Sequence, residues 1–198
     1  MKDLNNEYYV MFEDTSKNLV SIDGYIEPDF ALDDPAPEPH SIDIYISLGG
    51  KKNPTFEDIH FESLTDIVMQ KQVVDVLKKF ELYKVQLLKG THGEVIEKFN
   101  QMYYKLWCYN HILCLDLEKS KYGSKDSDNS WVYDLETIVL DSERLRQTPL
   151  EQRLMFHIGE RSDCLIIHQS IVDELSKHNF VGASYIPVKS WGLDSVFD

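Results

Sequence analysis

Two stretches of the chain carry one alternation of apolar and polar positions. In residues 66–89, DIVMQKQVVDVLKKFELYKVQLLK, the run Ile67, Val68 and Met69 is continuous, which marks a strand covered on both faces. Val73, Val74 and Leu77 then recur at helical spacing with Phe80 one turn on, and Val85, Leu87 and Leu88 return as a strand. Lys78 and Lys79 fall in the expected last helical turn, where cations complement the helix dipole. Residues 163–188, DCLIIHQSIVDELSKHNFVGASYIPV, repeat the grammar: Leu165, Ile166 and Ile167 as strand, Ile171, Val172 and Leu175 as the buried helical face. Asn179 can end that helix in a left-handed conformation, which lets Phe180 fold back onto Leu175. A shift of 98 residues superposes the two stretches without a gap, placing Val74 on Val172, Asp75 on Asp173, Leu77 on Leu175 and Lys79 on Lys177. A duplication and a chance match of two strand-helix-strand segments both accommodate these four identities.

The remaining pattern supplies further strands. YYVMFE at residues 8–13, closed by the turn-forming DTSKN, starts a sheet, and IDIYISLGG alternates over Ile42, Ile44 and Ile46 before a glycine turn. Apolar density over residues 103–117 predicts central strands, polar residues 119–129 predict an exposed turn, and residues 131–140 predict a partner strand. Strands and helices do not alternate strictly, so the expected class is α+β, a mixed or antiparallel sheet with short helices. A single domain is expected over residues 1–198, with an N-terminal sheet portion and acidic loop in 1–64 and the main core in 65–198.

Composition adds charge to this picture. Thirty-four acids against 20 Lys plus Arg give a net charge of −14. Half of that excess lies between residues 18 and 50, where Asp23, Glu27, Asp29, Asp33, Asp34, Glu38 and Asp43 occur without a single Lys or Arg. Such a field repels nucleic acid and anionic lipid and attracts a basic protein, though acidity also serves solubility alone. Four prolines, Pro28, Pro35, Pro37 and Pro39, exclude a helix or central strand there and predict a surface loop, with Phe30 and Leu32 available as pins. Three cysteines fit a reducing compartment and buried thiols. No signal-peptide pattern and no run of eighteen apolar residues occurs, so the expected location is the cytoplasm and not a membrane.

Catalytic grammar is sparse. Cys108, His111 and Cys114 lack zinc-site spacing, and His157 and His168 read as satisfied structural or surface histidines. No G-x-S-x-G, H-E-x-x-H or phosphate loop is present, and SLGGKKNPT is a turn. Asp33 with Asp34, or Asp116 with Glu118, are carboxylate pairs of a kind that any chain this acidic contains. The expectation is a protein without catalytic residues, cofactor or metal.

The landmarks YYKLWCYNHILCLDLEKSKY, TIVLDSERL and MFHIGERSDCLIIHQSIVDELSKHNFVGASYIPV, with Gly182 and Pro187 in the closing strand-helix-glycine-strand unit, resemble bacterial polymorphic-toxin immunity protein family 11. The resemblance covers roughly residues 65–188 and rests on structural motifs. His168 departs from it, standing where a serine-like helix cap is the rule and putting the helix start in question. The resemblance implies an α+β protein that binds and neutralises a cognate secreted toxin. A cytoplasmic inhibitor implies a toxin acting in the cytoplasm, of which a nuclease with a basic cleft is the leading type. The candidate contact element is the acidic proline-rich loop, with Asp29, Asp33, Asp34 and Glu38 as charge and Phe30 as anchor. The alternatives are a regulatory or adaptor module that binds another protein, and an enzyme that reverses the toxin's effect.

Overall fold

The computed structural model describes residues 3–14, 23–27, 35, 43–47, 58–61, 67–128 and 130–192. Within them the chain runs β1 (Tyr8–Glu13), β2 (Asp23–Glu27), β3 (Asp43–Ser47), β4 (Ile59–Phe61), β5 (Ile67–Gln70), α1 (Lys71–Leu77), β6 (Val85–Lys89), α2 (Glu94–Phe99) and β7 (Tyr103–Cys108). It continues through β8 (His111–Ile112), β9 (Lys121–Lys125), β10 (Val132–Thr137), α3 (Ser142–Arg146), β11 (Met155–Ile158), β12 (Arg161–His168), α4 (Gln169–Leu175) and β13 (Ala183–Pro187). One sheet is ordered β4-β5-β7-β6 and a second β8-β11-β12-β1-β13, while β9 with β10 and β2 with β3 form two-stranded ribbons. The fold is α+β, antiparallel except where β8 joins β11 in parallel.

The two large sheets are built on one plan. The offset of 98 residues carries Lys71–Leu77 onto Gln169–Leu175 and Val85–Lys89 onto Ala183–Pro187, boundary for boundary. In each unit a strand, helix and strand flank an antiparallel central strand, β7 in the first and β1 in the second. Register agrees as well: Gln70 pairs with Tyr103 as His168 pairs with Tyr8, and Leu87 pairs with Leu106 as Tyr185 pairs with Met11. Even the main-chain bonds outside the ladders recur, Lys71 N–H to Met102 O at 3.0 Å against Gln169 N–H to Glu7 O at 2.7 Å. β4 and β11 complete the match, donating the same edge to β5 and β12. The described residues therefore contain two copies of a four-stranded unit, and the second copy takes its central strand from the N-terminal part of the chain.

The core between the units shows the same relation. Met11, Ile59, Ile67, Met69, Val73, Val74 and Leu77 cluster with Leu106, Met155, Leu165, Ile167, Ile171, Val172 and Leu175. Each member of the first set has its equivalent in the second, so both units contribute matching positions of their helices and sheets to one shared core. Each such side chain contributes roughly 1.5–3 kcal/mol by leaving water. Val76 joins the cluster without a counterpart, because its equivalent Glu174 instead receives Lys79, just past the end of α1, at 2.6 Å. Val74→Ala and Val172→Ala are expected to cost about 2 kcal/mol each, and nearly equally, in urea unfolding.

Alternate residues of β12 serve two cores. Leu165 and Ile167 face the core just described, while Cys164 and Ile166 join Tyr8, Val10, Phe156, Leu115, Leu140 and Trp191 on the opposite face. A strand buried on both sides needs an unbroken apolar run, which is why CLII reads as it does. The second core is roofed by residues 113–117, the β9–β10 ribbon, α3 and the segment reaching Trp191.

Several expectations change in detail. Residues 119–129 are not a turn alone: Lys121–Lys125 is β9, paired with β10, whose Val132 and Leu135 enter the core, while among the side chains of β9 only Tyr122 packs on it. β7 is central in its sheet as expected, but β8 is an edge strand and Leu113 beyond it is exposed. α1 ends at Leu77, so Lys78 is its C-cap and Lys79 finds its partner on α4. Asn179 does adopt the left-handed conformation, φ 53°, and Phe180 packs against the cluster containing Leu175. His168 does cap α4, its Nδ1 accepting from Ser170 N–H at 3.2 Å, so the helix starts where the pattern placed it. Cys114 and Cys164 are buried, whereas Cys108 is only partly so.

Candidate partner-binding surface

The roof over the second core is held down by one carboxylate. Glu160 sits in the turn between β11 and β12 and is 1% exposed. It accepts from Cys114 N–H at 3.1 Å and Leu115 N–H at 3.3 Å, and the Arg144 guanidinium of α3 approaches at 3.4 Å. Its main-chain oxygen accepts from Val132 N–H at 2.9 Å, so one residue joins the 113–115 segment, β10 and α3 to the sheet. Burial pushes its carboxyl above the ordinary value, against the pull of those donors. The preceding Gly159 is equally constrained, since a Cβ there would lie 2.9 Å from Leu113 Cδ2 and 3.0 Å from Leu113 N. Glu160→Gln keeps one acceptor oxygen but turns an NH2 toward existing donors, and is expected to cost about 1–2 kcal/mol in urea unfolding at pH 7.

The segment anchored by Glu160 borders two clefts. Beyond its C-terminal end, Asp3, Asp116, Glu118, Asp141 and Glu143 outnumber Lys119 and Arg144 around a cavity of about 640 Å³. Local geometry explains why the aspartates are there. Asp141 caps α3 through Glu143 N–H and Arg144 N–H, both at 3.0 Å. Asp116 turns the chain by accepting from Glu118 N–H and Lys119 N–H, both at 3.1 Å, and it pairs with Lys119 Nζ at 2.6 Å. The Lys119 bond holds the Asp116 carboxyl below its usual range, and hydrogen bonds from Asn5 do the same for Asp3. Asp116 and Asp3 are thus held ionised at neutral pH, and acidic side chains outnumber basic ones around the cleft.

At the N-terminal end of the same segment lies a second cleft of about 440 Å³, lined by Tyr109, His111, Leu113, Trp131, Ser162 and Lys84. Behind His111, the buried His157 stacks at 5.3 Å between ring centroids. Its Nδ1 has no hydrogen-bond partner, and burial pushes the imidazole down to about 4. The histidines read from sequence as structural are therefore a desolvated stacking residue and a helix cap.

Of the sequence-derived contact residues, Asp29, Phe30, Asp33, Asp34 and Glu38 all lie outside the described residues. Asp116 and Glu118, noted only as one carboxylate pair among many, are brought by the fold into a cleft with Asp3, the α3 cap Asp141 and Glu143 of α3. Pattern reading missed that convergence because its contributors come from three distant segments. Burial drives the Cys108 thiol up to about 12 and that of Cys114 well above its ordinary value, so neither is a ready thiolate. Among the described residues no group of three or more His, Cys, Asp or Glu is arranged to hold a metal ion, and no helix is long and apolar enough to cross a membrane. No protein-family model matches the chain, and no curated protein matches it.

Proposed function

We propose that this chain is an immunity protein that binds a cognate secreted bacterial toxin and neutralises it by direct one-to-one association. The observation that supports this reading best is the cleft flanked by Asp3, Asp116, Glu118, Asp141 and Glu143, on a chain of net charge −14. A toxin that cleaves nucleic acid needs a basic surface for phosphates, and a carboxylate-rich inhibitor competes for that surface. Opposite fields accelerate encounter, and ion pairs that lose water on docking slow release. The reading places the toxin's action in the cytoplasm and takes a nuclease as its class. It agrees with the resemblance of residues 65–188 to immunity protein family 11.

The test is a calorimetric titration of this protein against the product of any toxin-like gene that adjoins its own, with toxin activity followed in parallel. The acidic loop enters as a second charged element. Replacing Asp29, Asp33, Asp34 and Glu38 together by Asn or Gln is expected to slow association roughly 10-fold at low salt and to flatten its salt dependence. Unchanged association kinetics would remove the loop from the contact. Neutralisation at far below one equivalent would favour an enzyme that reverses the toxin's effect.

A further inference from the structure

We infer that the edge strand β8 is a proton-operated flap: protonation of His157 behind it detaches residues 111–113 and opens that wall of the cleft of about 440 Å³, while the rest of the second unit stays folded. This movement belongs to the fold and does not depend on the inhibitor reading. Among the described residues β8 joins its sheet through β11 alone. His157 N–H donates to Asn110 O and Gly159 N–H to Ile112 O, both at 2.8 Å. The Asn110 side chain adds Nδ2 bonds to Gln152 O at 2.8 Å and Met155 O at 2.9 Å. A two-residue edge with so few ties opens locally at less cost than the sheet behind it. Parallel register sets His111 beside His157, with ring centroids 5.3 Å apart and planes inclined by 23°. The β8 ring is thus part of the cover that leaves His157 only 5% exposed.

The groups packed against His157 give a charged ring little support. Its Nδ1 has no hydrogen-bond partner. From β8, His111 opposes a positive charge. From β12, Asp163 and the main chain at Cys164 and Ser162 favour one, but the Asp163 carboxylate already accepts from Arg161 Nε at 2.6 Å. From β7, Cys108 meets the main chain of His157, and burial drives its thiol up to about 12, so it brings no charge. Desolvation outweighs the favourable groups, and the imidazole takes its proton readily only when water reaches it. Detaching β8 admits that water without parting β11 from β12. The flap is bounded by ties that acid leaves in place: Tyr109 N–H to Lys84 O at 3.0 Å before it, and Cys114 N–H to Glu160 at 3.1 Å after it. Burial raises the Glu160 carboxyl, so falling pH favours the folded state there and the opening stops at Leu113. The first unit lacks the device, since register places Phe61 where the second has His157.

The experiment is amide hydrogen exchange on the intact chain and on His157→Phe at pH 7 and pH 5, corrected for intrinsic exchange, with and without urea below the unfolding transition. With His157 titrating at about 4 when covered and 6.5 when open, the opening constant read at the Gly159 amide is expected to rise about 20-fold from pH 7 to pH 5. In His157→Phe it is expected to change less than about 2-fold. Local opening exposes little surface, so exchange at Gly159 is expected to ignore urea, whereas the amides of β12 exchange more slowly and accelerate with it. The parent chain decides the matter even if the variant does not fold. Exchange at Gly159 that follows urea as β12 does would show that β8 opens only with the whole unit, and an opening constant equal at the two pH values would show that no proton drives it. A 20-fold rise retained in His157→Phe would assign the proton to another group. Each of these three results overturns the inference.

Discussion

A chain lacking residues 3–14 is expected to lose cooperative folding. These residues carry β1, the central strand of the second unit, bonded to β12 on one side and β13 on the other. Tyr8 is fully buried, Val10 is 2% exposed and Met11 3%, and they divide between the two cores. Tyr8 also meets the Phe156 ring edge-on at 5.7 Å between centroids. Burial of these three side chains is worth about 6 kcal/mol, comparable with the 5–15 kcal/mol net stability of an ordinary domain. Removing β1 would also open two strand edges at once. Near-UV circular dichroism and urea titration are expected to show lost tertiary signal and a shallow transition, and a peptide of residues 3–14 added in trans is expected to restore part of the signal. A sharp transition with an unchanged slope would mean that the second unit holds without its N-terminal strand.

Acid is expected to destabilise the protein well above the pH at which carboxylates titrate, because of His157. Burial, reinforced by the neighbouring His111 and opposed by Asp163, lowers its imidazole from 6.5 to about 4. A base with a depressed folded value binds its proton more readily when unfolded, so its stability contribution is complete above pH 6.5 and falls as the pH drops toward 4. At 1.36 kcal/mol for each pKa unit, the loss over that window is about 3 kcal/mol. His168, half-buried and also lowered, acts in the same direction, whereas the raised carboxyl of Glu160 favours the folded state as pH falls. Asp3 and Asp116, held below 3.8, add their own losses only at lower pH. His157→Phe separates these contributions, and the fold itself recommends the replacement: register places Phe61 at the equivalent position of the first unit. Urea midpoints at pH 7 and pH 4.5 are expected to converge in His157→Phe and to stay well apart in the parent chain. Equal pH sensitivity in both would place the acid response elsewhere.

The strand-helix-strand units were legible because each buried its apolar side chains at fixed spacing. IVM and LII are continuous since β5 and β12 are covered on both faces, and Val74, Leu77, Val172 and Leu175 mark helices facing one core. The shift of 98 residues was visible in four identities, but the pairing that makes it a structural repeat was not. β1 and β7 are related by a different offset, since β1 reaches the second unit from the opposite end of the chain. The shared start of YYVMFE and YYKLWC was the available signal, and it means little until both strands are known to be central. β9 escaped because a strand whose side chains are mostly solvated leaves no apolar alternation in KYGSK. Glu160 escaped for the opposite reason: one acid after a glycine looks like any polar turn, and its burial follows from amides forty-five and more positions away. Both clefts are likewise assembled from separated segments, so the charge balance of the chain was readable while its placement was not.

The most direct measurement of the central claim is a titration of the product of any toxin-like gene that adjoins its own with this protein, reading heat and residual toxin activity in one series. The account predicts a tight complex that saturates at one equivalent and removes activity at the same point, with an association rate that falls as salt is added. Binding without loss of activity, or loss of activity at a small fraction of an equivalent, would contradict it.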